Sequence, residues 1–588
     1  MDTKTLVKSY ISNNISKVIS LVIFIVLTVT FKIFNVICVK YIFDFAASTT
    51  VSNNGMMLII FTMLFALSTV LSIVCDIVRQ SKSTSFGNDI TYELRTTAFQ
   101  TLMKSELYER NKYTDEEIGE SIIDATKVIG NDYISGKIID LLYNAVLLVS
   151  ILTTLLVFNS TYAFITILSL PIYYFIHSHL MKASSKREED YVKYNKDHHE
   201  LIFDRLKQLK VIKTRNGEEK EIESYDKTLN DNKKVFANNL NVKYSMNKFM
   251  PAIFTIISLF ILFLSTSYSF YEHLNDSEWI LQEIGLIVGC AIFTPSIFKL
   301  FKNVLDLYYI DLNQDAEYEK LDKVLTLRPE RRSENVPSLE EIQTLKFNSV
   351  SFDYIPYGLG DKVNLDKIEF EVKKGEKLGI IGLPGSGKST IADLITKIIR
   401  PRQGNVLINN CDINKVNTNY LRSIVTYVPE EYQLLNTSIE KNVTYPLKLD
   451  EYKYNDALNK CKLKDLIFSL PQRDETNAKS ISLSGSDIQK ISLANAFYKE
   501  SPIMILDDAT SKLDSVTEDE IMSEFFKLKN KISIVITNRI NNIVKCDKVL
   551  IISNGKIVEY GSVEELMSKR NSTFSKMVTD ANLNKKVV

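Results

Sequence analysis

The stretch Gly382-Leu383-Pro384-Gly385-Ser386-Gly387-Lys388-Ser389-Thr390 holds the residue types that polyphosphate binding needs. Glycines let backbone N–H groups curl around phosphates, a lysine reaches the β- and γ-phosphates, and a hydroxyl ligates Mg²⁺. Lys388 and Ser389 fit the last two tasks. Downstream, Ile503-Met504-Ile505-Leu506-Asp507-Asp508 runs four apolar residues into two carboxylates. Asp507 fits the role of holding Mg²⁺ beside the phosphates, and Asp508 stands where a general base for water would stand. The chemistry these residue types imply is nucleoside triphosphate binding, with attack by water on a phosphate.

Such a loop works only between a strand and a helix N-terminus, whose partial positive charge adds to the amides. Both flanks are present: Lys377-Leu378-Gly379-Ile380-Ile381 predicts a buried strand, and Ile391-Ala392-Asp393-Leu394-Ile395 a helix. A glycine-rich turn that merely precedes a helix is the alternative, and the flanks argue against it. Ile532-Ser533-Ile534-Val535-Ile536 predicts a further parallel strand, ending at Thr537-Asn538. Asn554-Gly555 between two apolar runs is a strong hairpin signal. From about Ile342 the pattern is α/β throughout.

The first half of the 588 residues is different. Six apolar stretches, near Val18–Tyr41, Met56–Val78, Ile138–Phe158, Thr161–Met181, Phe249–Phe270 and Ile280–Phe301, approach the ~20 residues that cross a bilayer. The short connections between them lack lysine and arginine. The long ones, Arg79–Lys137 and Lys182–Lys248, are rich in both and carry helical periodicity. Positive residues stay inside, which puts the termini, both long loops and the α/β half in the cytoplasm of a cell-membrane protein. Lys32, Asp140 and Glu283 are costly in lipid and are expected to face an interior cavity. Lys40 is expected to snorkel outward. Tyr143, Tyr173, Tyr174, Phe175 and His177 could line a pathway, with helix packing the alternative. Gly285 and Gly289 permit close helix approach.

A polar link with two prolines, Arg328 to Pro337, divides the halves. The expected domains are 1–327 (membrane), 328–341 (linker) and 342–588 (nucleotide-binding). Lysine plus arginine equals aspartate plus glutamate at 71 each, so nothing in the overall charge points to nucleic acid. The six cysteines form no Cys-x-x-Cys, so neither a metal site nor a disulfide framework is indicated.

Leu483-Ser484-Gly485-Ser486-Asp487 opens a helix between the phosphate loop and Asp507. With six spans and the phosphate loop, this segment makes the chain resemble the ATP-binding cassette (ABC) transporters, and most closely an exporter-type half-transporter. The resemblance covers nearly the whole chain. It implies an all-α six-helix transmembrane domain followed by an α/β P-loop ATPase. It assigns Tyr354 to adenine stacking, Gly382–Thr390 to Walker A, Leu483–Asp487 to the signature that meets the ATP of a partner, and Ile503–Asp508 to Walker B. Ser511 and Asp514 match the loop that communicates across the dimer. Met103–Leu107 and Leu206–Lys213 match coupling segments. ATP, Mg²⁺ and a second half-transporter are the implied cofactors and partner.

Four positions depart from the family pattern. The catalytic glutamate is Asp508, one methylene shorter, and the histidine after the last strand is Asn538. The glutamine that senses Mg²⁺ and water is Glu430, which cannot donate, with Gln433 nearby. The signature glutamine is Asp487, an acid facing a polyphosphate. An Ångström-scale misplacement of a catalytic group can cost about a hundredfold in rate. The expectation is an exporter of a peptide, lipid or hydrophobic small molecule, serving as the weak-site half of a heterodimer. The alternatives are a non-hydrolysing ATP-binding regulatory subunit and a slow homodimeric exporter. No peptidase-like stretch precedes the first span, so leader-peptide cleavage by this chain is not expected.

Overall fold

The computed structural model describes residues 2–47, 54–244, 248–272, 277–330, 341–353, 365–569 and 571–585. Within them, side chains are not described at 47, 54, 108, 183–200, 203, 231–232, 234–244, 265, 268–272, 277–286, 307–314 and 582–585. Tyr354 and most of the 328–341 link therefore lie outside the description, as does the Glu283 side chain. The chain divides into two compact units, Met1–Met103 with Tyr113–Leu327, and Lys104–Lys112 with Arg328–Val588.

The first unit is helical: α1 (Thr3–Asn13), α2 (Ile15–Ala47), α3 (Asn54–Lys104, whose last residue belongs to the second unit), α4 (Ile139–Phe158), α5 (Ser160–Lys207), α6 (Glu218–Tyr244), α7 (Met250–Glu272) and α8 (Ser277–Leu325). Five stretches are long and apolar enough to cross a membrane, and Met250–Leu264 is a shorter apolar one, among the described residues. At 1.5 Å per residue, the 51 residues of α3 reach about 75 Å, far beyond a ~30 Å hydrocarbon layer. Helical periodicity within the long loops thus becomes helix that continues the spans, α3 as far as Lys104 and α5 as far as Lys207, with breaks beyond. The turn into α4 differs from a plain α-helix, since Val128–Ile138 winds as a π-helix.

Ile19, Val22, Ile23 and Val26 on α2 are exposed, as lipid-facing residues are. The inward face packs tightly. Gly289 lies where an added Cβ would sit 3.4 Å from the Phe158 ring. Tyr173 and His177, candidates for a pathway lining, are instead wholly buried, stacked on each other, with Tyr173 packed against Phe254 and Phe298. Near the N-terminus, the Thr3 amide and hydroxyl both donate to Asp322 Oδ1, at 2.7 and 2.5 Å, and tie α1 to α8.

The second unit is built on two sheets. One is antiparallel, in the order β2 (Leu365–Lys373), β1 (Thr344–Phe352), β4 (Gln403–Ile408), β5 (Cys411–Asp412). The other has the order β10 (Lys556–Ser562), β9 (Lys548–Ser553), β3 (Lys377–Gly382), β8 (Ile532–Ile536), β7 (Ile503–Asp507), β6 (Val425–Val428). Its five strands from β9 to β6 are parallel, and β10 pairs antiparallel through Asn554 (φ 48°) and Gly555 (φ 74°). Both turn residues are left-handed, which a type I′ hairpin requires. Every residue of β7 and β8 is buried, as expected for parallel strands covered on both faces. Burying each of Ile503, Ile505, Ile534 and Ile536 stabilises the sheet by ~1.5–3 kcal/mol.

Residues 104–112 belong to this unit although they are distant in sequence from the rest of it. The Glu106 amide donates to the Arg328 carbonyl (2.9 Å), and the Glu330 amide to the Lys104 carbonyl (2.8 Å). The Arg422 guanidinium holds the Glu330 carboxylate at 2.7 Å. None of the six cysteines is in a disulfide among the described residues.

Candidate active site

The C-terminal ends of β3, β8 and β7 lie side by side, and ligands of parallel α/β sheets bind at such ends. The phosphate loop leaves β3 at Gly382. An added Cβ there would stand 2.3 Å from the Ile552 carbonyl oxygen, so only glycine fits. Gly385 (φ 77°) and Gly387 (φ 101°) take left-handed conformations that turn the loop into α9 (Lys388–Ile395). Leu383, Pro384, Gly385 and Ser389 are exposed, while Thr390 is buried on the helix. Lys388 is 8% exposed and its Nζ donates to the Gly382 and Leu383 carbonyls at 2.8 and 3.1 Å. Ser386 Oγ is buried in the same loop without a hydrogen-bond partner among the described residues. A buried cation and an orphaned hydroxyl inside a ring of amides fit a polyphosphate substrate.

Asp507 ends β7 nearly buried, beside this loop. Burial pushes its carboxyl above the usual range, opposed by hydrogen bonds from Ser389 and from the Tyr427 hydroxyl (3.1 Å). Neighbouring Asp508 raises it further, and Lys388 lowers it. The structure thus brings Lys388, Ser389 and Asp507 together, and adds Tyr427, for which the sequence held no signal. Asp508 is half-buried with φ 44°; its amide donates to the Ile536 carbonyl at 2.8 Å. Glu430 and Gln433 follow β6 and are exposed, as is Asn538 after β8.

The segment Leu483–Asp487 opens α10 (Gly485–Lys499). The Ser484 hydroxyl donates to Asp487 Oδ2 at 2.6 Å and accepts from the Asp487 amide at 3.1 Å; the Ser484 amide also reaches Oδ2, at 3.2 Å. This is a closed capping box, which satisfies orphan amides and places an anion at the positive helix end. Gln489 links α10 to the next loop, donating to Ser511 Oγ (3.0 Å) and accepting from the Lys512 amide (2.8 Å). Asp514 caps α11 (Ser515–Phe526); the Thr517 and Val516 amides hold its carboxyl below the usual range.

A buried hub missed in the sequence joins these parts. Glu518 Oε1 accepts from Thr510 Oγ1 (2.8 Å) and Asn542 Nδ2 (2.7 Å), and Oε2 from the Arg539 guanidinium. Arg539 Nη2 also donates to the Ser511 carbonyl (3.0 Å). The segments that follow β7 and β8 are therefore fixed to one carboxylate.

A phosphate loop at the end of β3, beside a buried acid at the end of β7, defines a nucleoside triphosphatase domain, here joined in one chain to an apolar helical unit. The ABC transporter family matches residues 365–511, and the ABC transporter transmembrane region matches 18–278. The chain belongs to the ABC transporter family, in which ATP hydrolysis is coupled to transport across a membrane. Among relatives, it is 25% identical over 492 residues to the ATP-dependent lipid A-core flippase of Burkholderia orbicola, covering 82% of this chain and 80% of that one. It is 26% identical over 463 residues to the Lactococcin-G-processing and transport ATP-binding protein LagD of Lactococcus lactis, covering 77% and 63%. It is 32% identical over 293 residues to the mitochondrial iron-sulfur clusters transporter ATM1 of Kluyveromyces lactis, covering 48% and 39%. The fold is similar to that of a bacterial Atm1-family ABC exporter solved with ATP bound (TM-score 0.78, 22% identity, 96% of this chain and 99% of that one).

Proposed function

We propose that this chain is one half of a dimeric exporter, that its own nucleotide site turns over slowly, and that its working partner is a different half-transporter. The carrying observation is Asp508. It occupies the position after the buried Asp507, where a base for the attacking water belongs, and its side chain is one methylene shorter than a glutamate. Exposed Asn538 cannot supply the cation that a histidine could. ATP is the substrate that the loop Gly382–Thr390 would hold. Ser389 and Asp507, already hydrogen-bonded to each other, would hold Mg²⁺, with Glu430 contributing from the end of β6. That ion would neutralise phosphate charge.

Lysine-rich and arginine-rich long loops favour a cytoplasmic nucleotide-binding domain and cytoplasmic termini. The cargo is drawn from peptides, lipids or hydrophobic small molecules, moved outward. The closed Ser484–Asp487 box favours a second reading, a non-hydrolysing regulatory subunit, because the serine hydroxyl is already spent on its own chain.

The test is ATP hydrolysis by the purified full chain in lipid, beside the double variant Asp508→Glu with Asn538→His. The expected result is negligible turnover in the natural chain and a rise of about a hundredfold in the double variant. Brisk turnover by the natural chain alone would refute the weak-site reading. No rise in the variant, with ATP still bound, would support the regulatory one.

A further inference from the structure

Within the membrane unit, α2, α4 and α8 enclose a cavity of ≈ 370 Å³, inside the ~300–1,000 Å³ range of small-molecule sites. One part of its wall is apolar, formed by residues such as Leu147, Ile151 and Phe293. The other carries Lys32, Lys299, Asn144 and Asn303.

The charges around it do not balance. Arg79, almost fully buried, is held 2.9 Å from Asp76 and 2.8 Å from Asp140, and its guanidinium lies 4.2 Å from the centre of the Tyr143 ring. Arg79 thus takes one oxygen of each carboxylate, and the three cations Lys32, Arg79 and Lys299 outnumber these two acids. Lys32 donates to the Tyr143 hydroxyl and stands 3.9 Å from Asp76, beyond hydrogen-bond reach. On α8, Lys302 is paired with Asp306 at 2.6 Å, whereas Lys299 has no acidic partner among the described residues. Two ammonium groups therefore face a cavity whose remaining polar lining is neutral, and only one of them has an acid within ion-pair distance among the described residues. An anion entering there gains from both lysines, and no carboxylate is among the described residues that line the cavity to attract a cation.

We propose that this cavity binds an anionic amphiphile, with its phosphate or carboxylate head between Lys32 and Lys299 and its hydrocarbon along Leu147, Ile151 and Phe293. This names the cargo class, so it rests on the transport reading above. An acidic peptide has the charge but no comparable demand for an unbroken apolar wall.

The test uses the full chain in phosphatidylcholine nanodiscs, photolabelled with a long-chain fatty acid that carries a diazirine on its tail, with the labelled residues mapped by mass spectrometry. Label is expected on α4 and α8 at the cavity wall, displaced by dodecyl phosphate but not by dodecyltrimethylammonium, dodecyl maltoside or inorganic phosphate. Lys299→Gln should weaken displacement by dodecyl phosphate about tenfold, and Lys299→Arg should restore it. Lys299 is exposed, so its replacement leaves the core intact; Lys32→Gln is the second variant, with a similar loss expected. Equal displacement by the cationic, neutral or phosphate competitor, stronger displacement by an acidic peptide, label elsewhere, or unaffected variants would each overturn the proposal. ATP turnover coupled to export, measured in parallel in proteoliposomes with the Asp508→Glu, Asn538→His double variant because the natural chain alone is expected to turn over negligibly, separates the two ideas. Label without coupled turnover overturns the transport reading alone, and coupled turnover without label overturns only the cargo assignment.

Discussion

Replacing Glu518 with glutamine tests whether the hub behind the site is as stiff as its geometry implies. Glutamine keeps the shape, and its oxygen can stay with Thr510 and Asn542. Its NH₂ must then face the Arg539 guanidinium, which has no acceptor with which to adapt. A hydrogen bond to a charged group contributes ~1.5–3 kcal/mol; because the Arg539 side chain is 38% exposed, water recovers part of that. The expected loss is about 2 kcal/mol of local stability. Arg539 would also release the Ser511 carbonyl. Hydrogen exchange on the full chain reads this directly: amides around 510–518 and 539–542 should exchange about thirtyfold faster, while the antiparallel sheet is unaffected. Adding Arg539→Gln to Glu518→Gln should cost less than the sum of the two single changes. A change below about threefold in those amides, or strict additivity, would refute the hub.

Two further outcomes follow from the site. Asp507 has its carboxyl raised by burial, so the folded chain favours its protonated form. The penalty for ionising it is absent below the ordinary carboxylate range and grows as pH rises through the raised value. Asp507→Asn should therefore raise the melting temperature of the nucleotide-free chain at pH 7 while abolishing Mg²⁺-dependent ATP binding; a lowered melting temperature would count against the burial argument. Asp487→Asn removes one negative charge and loosens the hold on the Ser484 hydroxyl. A unit charge ~5 Å from a phosphate in a largely solvated site is worth about 1 kcal/mol, so ATP-dependent association with a partner half should tighten about fivefold. Unchanged association, measured by size-exclusion with light scattering, would mean that the box does not oppose nucleotide.

How legible each part was depended on the range of the interactions that define it. The phosphate loop was readable because Gly382, Gly385 and Gly387 are each demanded by a local constraint, a close carbonyl or a positive φ. The Asn554-Gly555 turn was readable for the same reason. Ser484 and Asp487 had the spacing of a capping box, but an acid at that position drew attention as a charge rather than as a cap. Glu518 could not be found from sequence, since its partners Thr510, Arg539 and Asn542 meet only after β7 and β8 pair. The Asp76–Arg79 pair had helical i, i+3 spacing, but Asp140 and Tyr143, which complete its surroundings, meet Arg79 only after the helices pack.

Residues 104–112 hydrogen-bond to Arg328 and Glu330, which the ribosome adds only after about 215 further residues. At ~5–20 residues per second, that leaves Lys104 and Glu106 waiting roughly 10–40 s for their partners. A tightly folded segment could not wait and then rearrange. The short helix Leu107–Arg110, four residues long, has little structure of its own to undo. The helical half of the chain is therefore completed with an open socket, and synthesis of its second half decides when that socket is filled.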